Sequence, residues 1–303
     1  MIMDQKRWQR WVARTATRWE DISDIVQETG VELIDREHQR LIEYILDMGK
    51  IADTTKNRRM TSQKLAEQNN LFNRFIQALH QHFLTEEYFI DRYNLPDKPH
   101  QRKQHKAFLD KINEISADFQ DGLLSTFQQS RIEVVEELIN HINGVDVGTF
   151  SLKNFGPAIR AAKSWEDVEE IIKTTGLPFI DAEHKQLTER IIKVNKFLLD
   201  CYYSITSPQD KEELLSCLDG IYQITRSHFD NEEQLLKKYE LSADNQHTEH
   251  GKFMQALSLR QELVATDKAN DLKGFIDFLF FWWINHINGI DYNEFHFSRI
   301  AGP

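Results

Sequence analysis

The sequence predicts an all-α protein made of two tandem up-down-up-down four-helix bundles. Three observations predict it. The 303-residue chain is 40% hydrophobic and holds only 12 Gly and 6 Pro, a composition suited to long helices around real cores. One set of residues is written twice at a spacing of 145–146 residues (184−38 = 146, 250−105 = 145). That spacing is too long for a solenoid and fits a duplicated domain. Within each copy, apolar residues recur at three- and four-residue intervals, as in Leu41, Ile45, Met48 and again Leu71, Phe75, Leu79. The expected divisions are an arm over 1–18, a first domain over 19–157 and a second over 158–303.

The arm has no counterpart in the second half. Trp8, Trp11 and Trp19 fall on one helical stripe, with Arg7, Arg10, Arg14 and Arg18 on another face. It reads as a segment packed on a bundle, with a protein partner or a membrane surface as the alternatives. The first repeated element is Trp19-Glu20-Asp21, matched by Trp165-Glu166-Asp167, followed by Thr29-Gly30, matched by Thr175-Gly176. Four helices are expected near 36–53, 61–92, 99–119 and 127–143, and four more near 182–201, 208–239, 244–265 and 268–288. Pro208 sits at a helix start. The repeated Asn143-Gly144 and Asn288-Gly289 read as helix stops, because Gly readily takes the left-handed conformation. Past each stop, a turned chain would carry Asp146 or Asp291 back over the helix end.

Charge and cysteine usage narrow the function. A net charge of −11 argues against nucleic-acid partners. Cys201 and Cys217 are too few for a disulfide framework and read as reduced, structural residues. No apolar run is long enough for a transmembrane segment, and Met1 to Glu20 lacks a hydrophobic signal core, so a cytoplasmic protein is expected.

The chemistry lies in the repeat itself. His38, His82, Glu86, His105, His141 and Asp146 recur as His184, His228, Glu232, His250, His286 and Asp291, taking eight of the twelve histidines. A lone histidine is usually a hydrogen-bonded core or surface residue; six residues repeated in register are not. His82 and Glu86, like His228 and Glu232, are four apart and share a helix face. His38, His105 and His141 come from three other helices, as a core site in a bundle requires. Imidazole and carboxylate donors without thiolate suit iron, manganese or zinc. Two carboxylates exceed the need of one structural zinc and suit two close metal ions. Each bundle is therefore expected to hold a dinuclear site in its core.

On these residues the chain resembles the hemerythrin family in its bacterial form, duplicated over nearly all of 19–300. The shared motifs are Trp…Ile-Asp-x-x-His ending at His38 and His184, His-Phe-x-x-Glu-Glu at 82–87 and 228–233, His-x-x-Phe at 105–108 and 250–253, and the His-Ile…Asp segments from His141 and His286. The resemblance implies a non-haem centre of two Fe ions per domain, oxo- or hydroxo-bridged, with O2 as ligand. It implies that Glu86 and Asp146 bridge, that His38 and His82 bind one iron, and that His105 and His141 bind the other. In the second copy Glu232 and Asp291 would bridge, with His184 and His228 on one iron and His250 and His286 on the other. Leu41, Phe83 and Leu138, with Leu187, Phe229 and Trp283, resemble positions lining the O2 pocket; ordinary core packing is the equal alternative.

The chain departs from the family at one point. A fifth histidine, four before His105 and His250, is replaced by Gln101 and Gln246. His100 lies five from His105, so the two point about 140° apart on a regular helix and cannot share a metal. His247 lies three from His250, on a neighbouring row, and remains a candidate. Without the fifth histidine each iron of the family pattern keeps an open position, which a glutamine oxygen or a water could fill. The leading expectation is O2 carriage, storage or sensing. The alternatives are an enzyme or stress protein reacting with peroxide, NO or Fe(II), and a scaffold that binds metal poorly.

Overall fold

The computed structural model describes residues 15–55, 59–96, 98–242, 244–266 and 271–295. Trp8, Trp11, Arg7, Arg10 and Arg14 of the expected arm lie outside them. Among the described residues the fold is all-helical, with a single isolated bridge between Arg59 and Leu123 and no strand. The chain divides into two compact units, Met1–Phe155 and Gly156–Pro303.

In the first unit the long helices are α1 (Glu32–Asp53), α2 (Ser62–Tyr93), α3 (Lys98–Asp121) and α4 (Leu124–His141). Each packs on the next and α4 packs on α1, which closes a ring. Inside it sit Ile45, Phe75, Leu79, Phe127, Val135 and Leu138, all fully or almost fully buried. The helix α5 (Leu152–Ala161) follows. In the second unit α6 (Pro178–Asp200), α7 (Pro208–Lys238), α8 (Asp244–Ala265) and α9 (Leu272–Asn285) repeat the series. α6 packs on α7 and α9, α7 packs on α8, and Phe253 of α8 stacks on Trp282 of α9 with centroids 4.1 Å apart.

Local signals explain the element ends. Thr61 caps α2 by accepting from the Lys64 amide, and Ser207 caps α7 by accepting from that of Asp210. Asn94 ends α2 in the left-handed conformation, φ 50°. α1 and α6 begin four residues before the expected 36 and 182. Pro178 fixes the first turn of α6. In both units an aspartate of that turn reaches back to the preceding loop. Asp35 accepts from the amide and hydroxyl of Thr29 and from the Gly30 amide, and Asp181 accepts from the amide and hydroxyl of Thr175. Gly30 and Gly176 take φ of 89° and 79°, which accounts for the repeated glycine.

The expected helix stop at Asn-Gly is overturned. The chain runs on from α4 as a π-helical turn, Ile142–Asp146, and from α9 as another, His286–Asp291. Neither Gly144 nor Gly289 has positive φ. The asparagines work through their side chains instead. Asn143 accepts from the Gln27 amide at 2.8 Å and donates to the Ile25 carbonyl at 2.7 Å. Asn288 does the same with Lys173 and Ile171, both at 2.8 Å. The carboxamide thus clamps the segment that leads into the first helix of its unit.

Candidate metal centres

The π turn decides where the last carboxylate points. On a regular α-helix, residues five apart face about 140° away from each other. A turn closed by i→i+5 hydrogen bonds brings them to one face. Asp146 Oδ1 accordingly lies 3.2 Å from His141 Nε2, and Asp291 Oδ1 lies 3.1 Å from His286 Nε2.

All twelve repeated residues converge. His38, His82, Glu86 and Asp146 offer donor atoms within 4.8 Å of one another, as do Glu86, His105 and His141. His184, His228, Glu232 and Asp291 form the matching set in the second unit, with Glu232, His250 and His286 beside it. Every member is buried. Each carboxylate serves both imidazole pairs. Glu86 Oε1 faces His82 (3.4 Å) and His38 (4.0 Å), while Oε2 faces His105 (2.8 Å). Asp146 Oδ2 faces His38 at 3.3 Å, opposite the oxygen that faces His141. In the second unit Glu232 Oε1 faces His228 (3.3 Å) and Oε2 faces His250 (3.3 Å), while Asp291 Oδ2 faces His184 (3.2 Å).

These donors lack adequate partners within the protein. His38 Nε2, His82 Nε2, His105 Nε2, His141 Nε2, Asp146 Oδ2 and both Glu86 oxygens are buried without a hydrogen bond. His184 Nε2, His228 Nε2, Asp291 Oδ2 and both Glu232 oxygens are the same. The Nε2 atoms of His250 and His286 face each other at 3.2 Å. Buried polar atoms are normally paired, so a set of orphans aimed at a common point fits bound cations. The donor chemistry, imidazole and carboxylate without thiolate, fits iron, manganese or zinc.

Protonation in the two clusters reflects the same crowding. In the first, burial pushes His82 down to about 4, and burial with the neighbouring His141 pushes His105 to about 3. Burial and the facing Asp146 carboxylate push Glu86 well up. Burial opposes ionisation of Asp146, but the facing His38 and the adjacent imidazoles outweigh it and hold it at about 2. In the second, burial disfavours imidazolium, yet Glu232 lifts His228 to about 10 and Asp291 lifts His286 to about 9. In both clusters protons are shared among buried carboxylates and imidazoles that crowd one another. Cations binding to either set displace them.

The outer residues complete the arrangement. His82 Nδ1 meets Glu37 Oε2 at 3.0 Å, and Glu37 Oε1 accepts from the Thr85 hydroxyl at 3.0 Å. His228 Nδ1 meets Glu183 Oε2 at 2.9 Å, with Asn231 donating to Glu183 Oε1 at 2.6 Å. A carboxylate on Nδ1–H fixes the tautomer and leaves Nε2 free for a metal. Glu37 precedes His38 as Glu183 precedes His184, but the histidine each carboxylate serves is 45 residues away, so sequence spacing does not reveal this role.

The uncertain candidates separate cleanly. Gln101 is buried, and its Nε2 donates to Asp146 Oδ1 (3.1 Å) and to Thr149 Oγ1 (3.2 Å). Gln246 is buried and donates to Asp291 Oδ1 at 3.0 Å. Both glutamines therefore reach the cluster through its aspartate, and the Oε1 of each is buried without a partner. His247 is a correction. Its side chain is 79% exposed and pairs with Glu233 at 3.1 Å, outside the cluster, since its row on α8 faces solvent. His100 is also exposed. An opening of about 530 Å³ lined by His100, Gly144, Gly148, Thr149 and Asn154 borders the Gln101 side of the first centre.

The expected pocket residues sit in the surrounding core. Phe83 stacks on His105 with centroids 4.0 Å apart, and Phe229 stacks on His250 at 3.6 Å. Leu41, Leu138 and Leu187 are fully or almost fully buried. Trp283 lies edge-on to His184 and His228 and donates to the Thr188 hydroxyl at 3.0 Å. Trp282 stacks on His286, whereas Glu137, at the same register in the first unit, is exposed. Cys201 and Cys217 are free thiols.

Residues 29–150 match the hemerythrin HHE cation-binding domain. The hemerythrin match spans α1 to the end of the π turn, and so contains the whole first cluster. Comparison with curated proteins and with solved structures finds no match. Among the described residues no helix is long and apolar enough to cross a membrane.

Proposed function

We propose that the chain is a non-haem di-iron O2-binding protein, serving carriage, storage or sensing in the cytoplasm, folded as two tandem four-helix bundles with one dinuclear centre each. The observation that carries this reading is the pair of buried sets in which two carboxylates each turn one oxygen towards either pair of imidazoles. His38 and His82 would hold one ion and His105 and His141 the other, with Glu86 and Asp146 shared. His184 with His228, and His250 with His286, would do so around Glu232 and Asp291. The hemerythrin match supports the first unit, and the recurrence of the same distances extends the reading to the second.

A ferrous pair, when bound, supplies the electrons that O2 binding draws on. The protein's part is to hold and shield it. The shared carboxylates offset the cationic charge inside the core. Glu37 and Glu183 hold a proton on Nδ1 of His82 and His228. Phe83 and Phe229 cover the faces of His105 and His250 and exclude water there.

Anaerobic reconstitution with Fe(II), followed by optical spectra on adding O2, tests this. A charge-transfer band that forms with O2 and disappears on deoxygenation is the expected result, at four irons per chain. Direct, irreversible conversion to the ferric form would refute it. Gln101 and Gln246 favour one second reading. With a glutamine hydrogen-bonded to the aspartate in place of a fifth imidazole, both ions of a bound pair would have a position open, as chemistry on peroxide, NO or Fe(II) requires. Multiple turnovers with one of these, and no reversible band, would select it.

A further inference from the structure

The two centres differ at one residue that the repeat does not cover. One turn past the shared aspartate stands Thr149 in the first unit and Glu294 in the second, each three residues on (149−146 and 294−291). Thr149 accepts a hydrogen bond from Gln101. Glu294 takes the same place beside Gln246, and it feels the charges of Asp291, Glu232 and His286. Its Oε2 is buried without a hydrogen-bond partner. Burial also pushes its carboxyl above the usual range. The second cluster therefore has a third carboxylate close by, joined to the bridging aspartate through Gln246, which donates to Asp291 Oδ1 at 3.0 Å. Thr149 gives the first cluster no such charge.

We propose that Glu294 tunes the second centre, lowering its reduction potential by placing an additional negative charge behind Gln246. The inference rests on the di-iron reading above. Two cations nearby hold the Glu294 carboxylate ionised. Its charge favours the more positive, oxidised state of the pair over the reduced one. Glu294 is not a ligand, since it lies outside the set of donors that converge; it acts on the centre through Gln246 and through space. Lys173 is another charged residue of this region. Its Nζ lies 4.3 Å over the Tyr292 ring, and substitution of Glu294 alone separates the two effects.

The test is a mediated potentiometric titration of full-length, iron-loaded protein between dithionite and ferricyanide. The first centre is silenced by His82→Ala, so that the second is read alone. Glu294→Gln should raise the potential of the second centre, changing its oxidised-to-reduced ratio at a fixed potential by roughly tenfold or more, the scale of a unit charge acting over several ångströms. Glu294→Asp should retain most of the wild-type value. Thr149→Glu, read with the second centre silenced by His228→Ala, should lower the potential of the first. Bound iron with an unchanged potential in both Glu294→Gln and Thr149→Glu would overturn the inference and leave the di-iron reading standing. Absence of bound iron in the wild-type chain would overturn both. If Glu294→Gln fails to load iron, the direction of the Thr149→Glu shift decides.

Discussion

Replacing Glu37 by Gln should weaken half of the metal sites and spare the other half. Glu37 Oε2 lies 3.0 Å from His82 Nδ1, and its other oxygen is held at 3.0 Å by Thr85. The side chain is 22% exposed, so the interaction is only partly screened. Glutamine keeps the size and can still accept a hydrogen bond, but the charge is lost. A charge-assisted hydrogen bond is worth roughly twice a neutral one, a difference of about 1–1.5 kcal/mol. That converts to ~5–13-fold in affinity. Glu37→Ala also removes the acceptor and should approach ~100-fold, the upper end for an outer carboxylate on a metal-bound histidine. Chelator competition reads this directly. The variant should release metal in two phases, one shifted and one at the wild-type position, because Glu183 still supports His228. A single unshifted phase would refute the idea that Glu37 acts through His82. A uniform shift of both phases would refute the independence of the two units.

Three other outcomes are expected. Asn143→Ala loses the hydrogen bonds to Gln27 and Ile25, a cost of about 1–3 kcal/mol, and calorimetry should find one unit melting several degrees lower while the other holds. Thr188→Val leaves the buried Trp283 N–H without its acceptor, which should cost about 1–3 kcal/mol and alter tryptophan fluorescence in urea unfolding; an unchanged midpoint would mean the indole finds another partner. In metal-free protein His82 and His105 titrate at about 4 and about 3 when folded, against 6.5 as ordinary imidazoles. For these two groups the unfolded chain binds more protons, so their contribution to stability is full above pH 6.5 and is lost progressively as pH falls towards 3, while the raised Glu86 carboxyl works the other way; with Glu86→Gln in place, the first unit should be less stable at pH 5 than at pH 8. Urea midpoints at pH 8 and pH 5 check that sign.

Much of the site was legible because it occurs twice. A histidine alone says little, but His38 and His184 in register with five other pairs leave few alternatives, and the structure gathers all twelve. The helices were legible from periodicity and from Pro208, although the starts of α1 and α6 depended on Asp35 and Asp181 reaching back to their loops. What escaped was long-range or unrepeated. Asn143-Gly144 carries the local signature of a stop, and only contacts more than a hundred residues away, at Gln27 and Ile25, reveal a clamp. His247 has a spacing that permits ligation and an outward face that forbids it. Glu294 was invisible to a search for repeats, because its counterpart is Thr149.

The wide turn after each fourth helix makes the centres sensitive to chain length as well as to residue identity. Relative to an unbroken α-helix, one extra residue in a turn resets the angular phase of everything beyond it by about 100°. Asp146 and Thr149 obey one phase, while Leu138 and His141 obey another. Adding a residue beside Gly144 would carry the aspartate about 100° further round and out of the core, whereas removing Gly144 would let the turn close as a regular helix with the aspartate four after His141, still on its face. An alignment that adds a residue between the last histidine and its aspartate would therefore describe a protein with the same letters and a misplaced carboxylate, while a one-residue gap there would describe a regular fourth helix.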